Sequence, residues 1–172
     1  MALCIVPATA DDINVLQTIS RLTFSAAFAH QNTEENMQIY LEKNLSKEQL
    51  LKELATQGTE FFLAYDDEQV IGYLKLNQGA AQTDLQEAKS IEVERIYVLP
   101  DYYSKGLGKQ LLDFALAIAR KRKAEFIWLG VWEHNQRAIR FYQKNGFAEF
   151  AKHAFMLGND KQTDLLMRRG LQ

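Results

Sequence analysis

One cysteine, Cys4, stands in 172 residues, so no disulfide can form within the chain. Cys and His residues nowhere fall at metal-ligand spacing, and no metal centre is expected. The apolar composition of Leu3-Cys4-Ile5-Val6 predicts a buried Cys4 in a first strand that Pro7 stops. Neither sign of charge dominates: 20 Lys and Arg face 22 Asp and Glu, for a net charge of −2, which argues against a general nucleic-acid binder. The slight acidic excess suits a cationic partner. No apolar run approaches the length of a membrane span, and Met1 to Val6 is too short for a signal peptide. A soluble, cytoplasmic protein is therefore expected, with neither membrane nor nucleic acid as partner. Internal repeats and low-complexity segments are absent too. With 47% hydrophobic residues, the chain is long enough for one well-cored domain, taken as residues 1–172. A homodimer remains open.

The most informative stretch runs from Ile91 to Arg122. Alternation and β-branched residues make Ile91 to Leu99 a strand, Pro100 ends it, and apolar residues at 3–4 spacing from Leu111 onward make a helix. Between them, Lys105-Gly106-Leu107-Gly108-Lys109 sits where loop becomes helix. Such a junction offers unpaired N–H groups and the positive end of a helix dipole to phosphate oxygens, and glycine lets a ligand come close. The spacing excludes two nucleotide motifs. A dinucleotide fingerprint needs a third glycine where Leu111 stands, and a P-loop needs Lys-Ser/Thr where Lys109 is followed by Gln110. A plain loop-to-helix turn has the same signature.

Other elements follow from local chemistry. Thr9-Ala10-Asp11-Asp12 is a capping box that starts a helix running towards Phe28. A second helix begins at Asn32 to Glu35, and a third at Ser46 stops by Gly58. Phe61 to Tyr65 and Val70 to Leu76 read as a hairpin around Asp66 to Gln69, and Asn77 to Ser90 reads as a polar surface loop. After the Gly106 helix, the Arg120 to Lys123 cluster suits a helix C-terminus. Phe126 to Val131 is a strand, Asn135 to Asn145 a helix closed by Gly146, and Phe147 to Met156 with Thr163 to Arg168 a terminal antiparallel pair.

Two motifs together carry a family resemblance. The strand end Tyr97-Val98-Leu99-Pro100 followed by Gly106-Leu107-Gly108 resembles the acetyl-CoA pyrophosphate loop of the GCN5-related N-acetyltransferases (GNAT), although Tyr103 stands where those enzymes usually carry Arg or Gln. Asn135, Ala138, Phe141, Tyr142, Gly146 and Phe147 match the pattern Asn-x-x-Ala-x-x-Phe-Tyr-x-x-x-Gly-Phe at every position. Over nearly the whole chain, segments such as Gln31 to Met37, Ile127 to Glu133 and Gln162 to Leu165 resemble the PaiA-type bacterial spermidine/spermine acetyltransferases. The resemblance implies a mixed α/β fold whose mostly antiparallel sheet splays between two central strands. It also implies acetyl-CoA as cosubstrate, a polyamine as acceptor, and a cofactor site at Ile96, Tyr97 and Val98, at Lys105 to Lys109, at Asn135 and at Tyr142. The same scaffold would serve another small amine or a protein N-terminus, or a CoA-binding sensor without catalysis.

Acetyl transfer to an amine needs a base, because the ammonium must lose its proton before its lone pair can attack. Glu92 and Glu94 are the candidates; strict alternation puts both on one face with Ile96 and Val98. By resemblance Glu94 is the base, the Val98 N–H polarises the thioester carbonyl, and Tyr142 protonates the leaving thiolate. A salt bridge for Glu94 and a structural role for Tyr142 stay open. His30, His134 and His153 are scattered, without a Ser or Cys nucleophile motif beside them, and Glu34 and Glu35 are explained by the dipole of the helix they begin.

Overall fold

Capping chemistry sets the helix starts. Thr9 and Asp12 exchange side-chain and backbone hydrogen bonds in a capping box, which opens a short 3₁₀ turn that passes directly into α1 (Ile13–Phe28). Thr33 and Ser46 accept N–H bonds at the heads of α2 (Glu34–Asn44) and α3 (Lys47–Leu54). The remaining helices are α4 (Leu107–Lys121) and α5 (Gln136–Lys144). The strands are β1 (Cys4–Pro7), β2 (Thr59–Asp66), β3 (Gln69–Gln78), β4 (Ser90–Val98), β5 (Phe126–Trp132), β6 (Ala148–Leu157) and β7 (Asp160–Gly170). These elements come from a computed structural model that describes residues 3–171, so Met1, Ala2 and Gln172, including the start of the Met1–Val6 segment, lie outside it.

All seven strands join one sheet in the order β1-β2-β3-β4-β5-β7-β6, antiparallel except where β4 meets β5. That parallel pairing is short. It begins at Ser90 with Phe126 and ends at Val93 with Leu129, after which the two central strands separate. Helices α4 and α5 cover one face, where Leu111, Leu112 and Ala115 pack on Ile91, Val93 and Ile127 in the larger core cluster. Helices α1, α2 and α3 cover the other, with Leu16, Tyr40 and Leu50 against Leu63 and Tyr73. Each buried leucine contributes roughly 1.5–3 kcal/mol, so both faces hold the sheet from which the gap opens. Among the described residues, no helix is long and apolar enough to cross a membrane.

Three local expectations are corrected. Cys4 is exposed, at the start of β1, the sheet's outer strand. The segment from Asn77 to Ser90 is no simple surface loop: Asn77 and Gln78 finish β3, and Ser90 begins β4. Between them Gln82 is buried, its Oε1 accepting from Trp128 Nε1 at 2.7 Å and from Ser90 Oγ at 2.8 Å. The third correction concerns β4. Its register against β3 steps from Lys75–Arg95 to Leu76–Val93, which leaves Glu94 as the extra residue of a β-bulge. Alternation is therefore reset at Glu94. Val93, Ile96 and Val98 all pack on the α4 side, while Glu92 and Glu94 bond Asn77 on the opposite side. The glutamates do not share a face with Ile96 and Val98.

Candidate active site

The separation of β4 from β5 creates a cleft of about 1300 Å³. Its walls include the last residues of both strands, the loop before α4, the start of α5 and the inner ends of α1 to α3. Every candidate site residue except Lys105 lines it; Lys105 is exposed beside the cleft, its ammonium 5.2 Å from the Tyr102 ring centroid.

At one end of the cleft lies the start of α4. Gly106 caps the helix with φ +77°, and Ser104, two residues earlier, is also left-handed at φ +65°. The turns expose backbone N–H groups of the first helical residues, a geometry suited to phosphate. Leu107 is buried in the core, so its main chain alone is available to a ligand. A Cβ on Gly108 would lie 3.9 Å from both Val98 Cγ2 and Phe141 Cζ, on the cleft wall. Lys109 pairs with Asp113 at 2.8 Å at this end of the cleft.

Along β4, the N–H of Leu99 donates to Ile71 on β3 at 2.8 Å. Backbone direction alternates along a strand, so the N–H groups of Ile96 and Val98 point away from β3 into the gap. Tyr97 points to the other core and stacks on Tyr73 with 5.9 Å between centroids. From α5, Asn135 accepts from the Ala138 N–H at 3.2 Å, so its Oδ1 is engaged in capping the helix and its amide N–H₂ remains to meet a ligand. Tyr142 is buried between Phe141 and Phe147, and burial holds its phenol above the ordinary tyrosine value. Among the described residues its hydroxyl forms no hydrogen bond.

The other end is a charged network, of which the sequence pointed only to a salt bridge of Glu94 with Arg95 or a neighbouring strand. Lys75, 4% exposed on β3, lies 2.6 Å from both Glu53 Oε1 on α3 and Glu94 Oε2. Arg95 adds contacts of 3.0 Å to Glu53 and 3.3 Å to Glu94. The Asn77 amide donates at 3.0 Å to Glu94 and at 3.0 Å to Glu92, and Glu92 also accepts from Thr83. Burial raises the Glu92 carboxyl above the usual range against those hydrogen bonds. Burial would raise Glu53 as well, but Arg95 and Lys75 outweigh it and hold that carboxyl low. Further round the wall, Asp164 on β7 is pushed up to about 6 by burial, which nearby His153 opposes. Asp164 faces the cleft across Gly130, where a Cβ would stand 3.4 Å from its Oδ2. His134 is exposed, and His153 lies 3.0 Å from Asp84.

Charge is thus divided along the cleft. Lys109, Arg137, Arg140 and Lys144 line the α4–α5 end without a lining carboxylate, whereas the opposite end carries Glu53, Asp84, Glu92, Glu94 and Asp164 against Lys75 and Arg95. Among the described residues no group of three or more His, Cys, Asp or Glu could hold a metal ion. Lys75 was legible in principle, as a lone cation within the apolar run Val70 to Leu76, and Asp164 only as part of the Gln162 to Leu165 segment; Glu53 and Thr83 left no comparable signal.

Known proteins are similar to this chain in sequence and in fold. An uncharacterized N-acetyltransferase of Lactobacillus delbrueckii subsp. lactis is 40% identical over 167 residues, covering 97% of this chain and 96% of the relative. The spermidine N(1)-acetyltransferase of Thermoplasma acidophilum is 29% identical over 141 residues, covering 80% and 83%. The crystal structure of the PaiA N-acetyltransferase from Thermoplasma acidophilum in complex with coenzyme A superposes with a TM-score of 0.80 at 26% identity, over 99% of this chain and 100% of that one. The model of the acetyltransferase (GNAT) family matches residues 21–147. The chain belongs to that family and is an N-acetyltransferase that uses acetyl-CoA.

Proposed function

We propose that the acceptor is a polyamine of the spermidine or spermine class, acetylated directly at a primary amine by one catalytic domain of a cytoplasmic enzyme. The observation that carries this reading is the division of charge along the cleft: cations for the cofactor's phosphates at the α4–α5 end, a surplus of carboxylates for ammonium groups at the other. The likeness to a spermidine acetyltransferase supports it.

In this reading the cofactor's pyrophosphate rests on the N–H groups at Lys105 to Lys109, and its pantetheine arm meets Asn135 and the edge of β4 in the gap. Glu94, through water, takes the proton from the acceptor ammonium; Glu92, coupled to it by Asn77, is the alternative base. The freed lone pair attacks the thioester carbon. Negative charge gathers on the carbonyl oxygen, which the Val98 N–H accommodates. Collapse of the tetrahedral species breaks the C–S bond, Tyr142, kept protonated by burial, donates its proton to the thiolate, and the excess proton left on the attacking nitrogen departs through water to restore the phenol.

A panel of amines assayed by release of CoA thiol tests the reading. Spermidine and spermine are expected to give a kcat/KM well above that of monoamines and of peptides with free N-termini. A preference for a monoamine or a peptide would reassign the acceptor on the same scaffold. Absence of turnover with every amine, despite CoA binding, would make the chain a sensor.

A further inference from the structure

Arg137, the second residue of α5, lays its guanidinium on the Tyr103 ring with Cζ 3.7 Å from the ring centroid. Both residues line the cleft, and Arg137 is in no ion pair among the described residues. Stacking uses one face of the guanidinium. Its N–H donors lie in the plane, so the rim stays free for a planar or tetrahedral oxyanion. Tyr103 is itself fixed: its N–H donates to the Pro100 carbonyl at 3.0 Å, and it leads into the left-handed Ser104 and the Gly106 cap. The stack therefore ties the start of α5 to the loop that presents the α4 N-terminus. A cation on a flexible stem has been fixed beside a set of backbone donors that favours anions, with no carboxylate lining that end of the cleft to neutralise it.

We propose that Arg137, held in place by Tyr103, grips a phosphate group of the bound coenzyme A and clamps the cofactor across the cleft. The inference rests on the reading that puts the cofactor's phosphates at the α4 N-terminus, and it adds two residues outside the glycine loop. Two phosphate sources share this chemistry, the pyrophosphate and the ribose 3′-phosphate.

Calorimetric titration with CoA, 3′-dephospho-CoA and pantetheine tests the clamp. Because Arg137 is exposed, Arg137→Ala is expected to fold, and its CoA affinity should fall by ~10–100-fold, the range of a charge-assisted hydrogen bond. Pantetheine, which lacks phosphate, should bind it as it binds the parent. Arg137→Lys keeps the charge without the fork and should fall between. Tyr103→Phe keeps the ring and should stay within about twofold of the parent, whereas Tyr103→Ala frees the guanidinium and should lose several-fold. If the Arg137→Ala deficit vanishes with dephospho-CoA, the clamp holds the 3′-phosphate; if it persists, it holds the pyrophosphate. Unchanged CoA affinity in Arg137→Ala, or an equal loss for CoA and pantetheine, overturns the clamp. Failure of the parent to bind CoA would instead remove the cofactor reading beneath it.

Discussion

Lys75 Nζ lies 2.6 Å from Glu94 Oε2, so the candidate base is already an ion-pair partner. Lys75 also holds Glu53 and would not be orphaned if the Glu94 charge were removed. Glu94→Gln is therefore expected to fold normally and bind acetyl-CoA like the parent, while kcat falls by ~10²–10⁴-fold. The deficit should shrink at high pH, where more of the amine is neutral without help. Steady-state rates across pH for Glu94→Gln and Glu92→Gln decide the assignment: if the loss follows Glu92, the base is the more buried carboxyl.

Removing Lys75 is a different experiment. Lys75→Met leaves the Glu53 and Glu94 carboxylates in a buried site with Arg95 as their remaining cation. Breaking one partner out of a buried ionic network costs about 3–5 kcal/mol. Urea unfolding should show that loss, and a variant as stable as the parent would mean that solvent reaches the network freely.

The network explains which parts of the protein could be read from residues alone. Thr9, Thr33 and Ser46 mark helix starts because capping is local, and the cofactor loop is legible because Gly106 and Gly108 serve the backbone directly. The β4 bulge is only faintly legible. Glu94 and Arg95 put two charges in succession and the apolar positions shift from 91 and 93 to 96 and 98, but the extra residue is defined only by the partner strand. For the same reason, the faces assigned to Glu92 and Glu94 were wrong while the residues themselves do line the cleft. Glu53 and Asp164 come from elements far from β4 in sequence, and tertiary folding alone assembles them with it. Cys4 misled because an outer strand has a side without a partner, which composition does not show.

Gly108 offers a direct probe of cofactor approach. A Cβ there meets Val98 and Phe141 at ordinary contact distance, so Gly108→Ala should fold. The larger Gly108→Val carries methyl groups beyond that Cβ into the cleft, and its CoA affinity should drop at least tenfold while its melting temperature moves little. Calorimetric titration of the folded variant checks this; unchanged affinity would mean that the cofactor lies elsewhere.

Tyr142→Phe separates chemistry from structure because the hydroxyl has no hydrogen-bond partner within the described protein. Its removal strands no donor or acceptor, so thermal stability should be unchanged. A general acid's absence should lower the acetyl-transfer step, within ~10²–10⁴-fold and towards the low end, since a thiolate departs partly unaided. Single-turnover rates and melting curves on one preparation give both readings. A parent-like rate where chemistry is limiting would withdraw the assignment.

Asp164 makes stability depend on pH in the direction opposite to most carboxylates. Burial raises its pKa from 3.8 to about 6, so the folded protein holds this proton more tightly than the unfolded chain does. Its contribution to stability then falls as pH rises through that window, and the full cost of a buried anion is felt above about 6. Asp164→Asn removes the cost. At pH 7.5 the variant should be more stable by ~1–2 kcal/mol, from about 1.4 kcal/mol per pKa unit reduced for partial solvent access. Near pH 3.5 the two proteins should unfold nearly alike, since the carboxyl is then protonated in the folded protein and mostly protonated in the unfolded chain. His153→Gln, run in parallel, removes the neighbour that opposes the rise at Asp164. An ammonium settling beside Asp164 would favour the ionised form, so the spermidine KM of the parent should fall as pH rises through about 6, and Asp164→Asn should lose that component. Equal stability of parent and Asp164→Asn at pH 7.5 would mean that the carboxyl is solvated, and with it the expected KM profile would go.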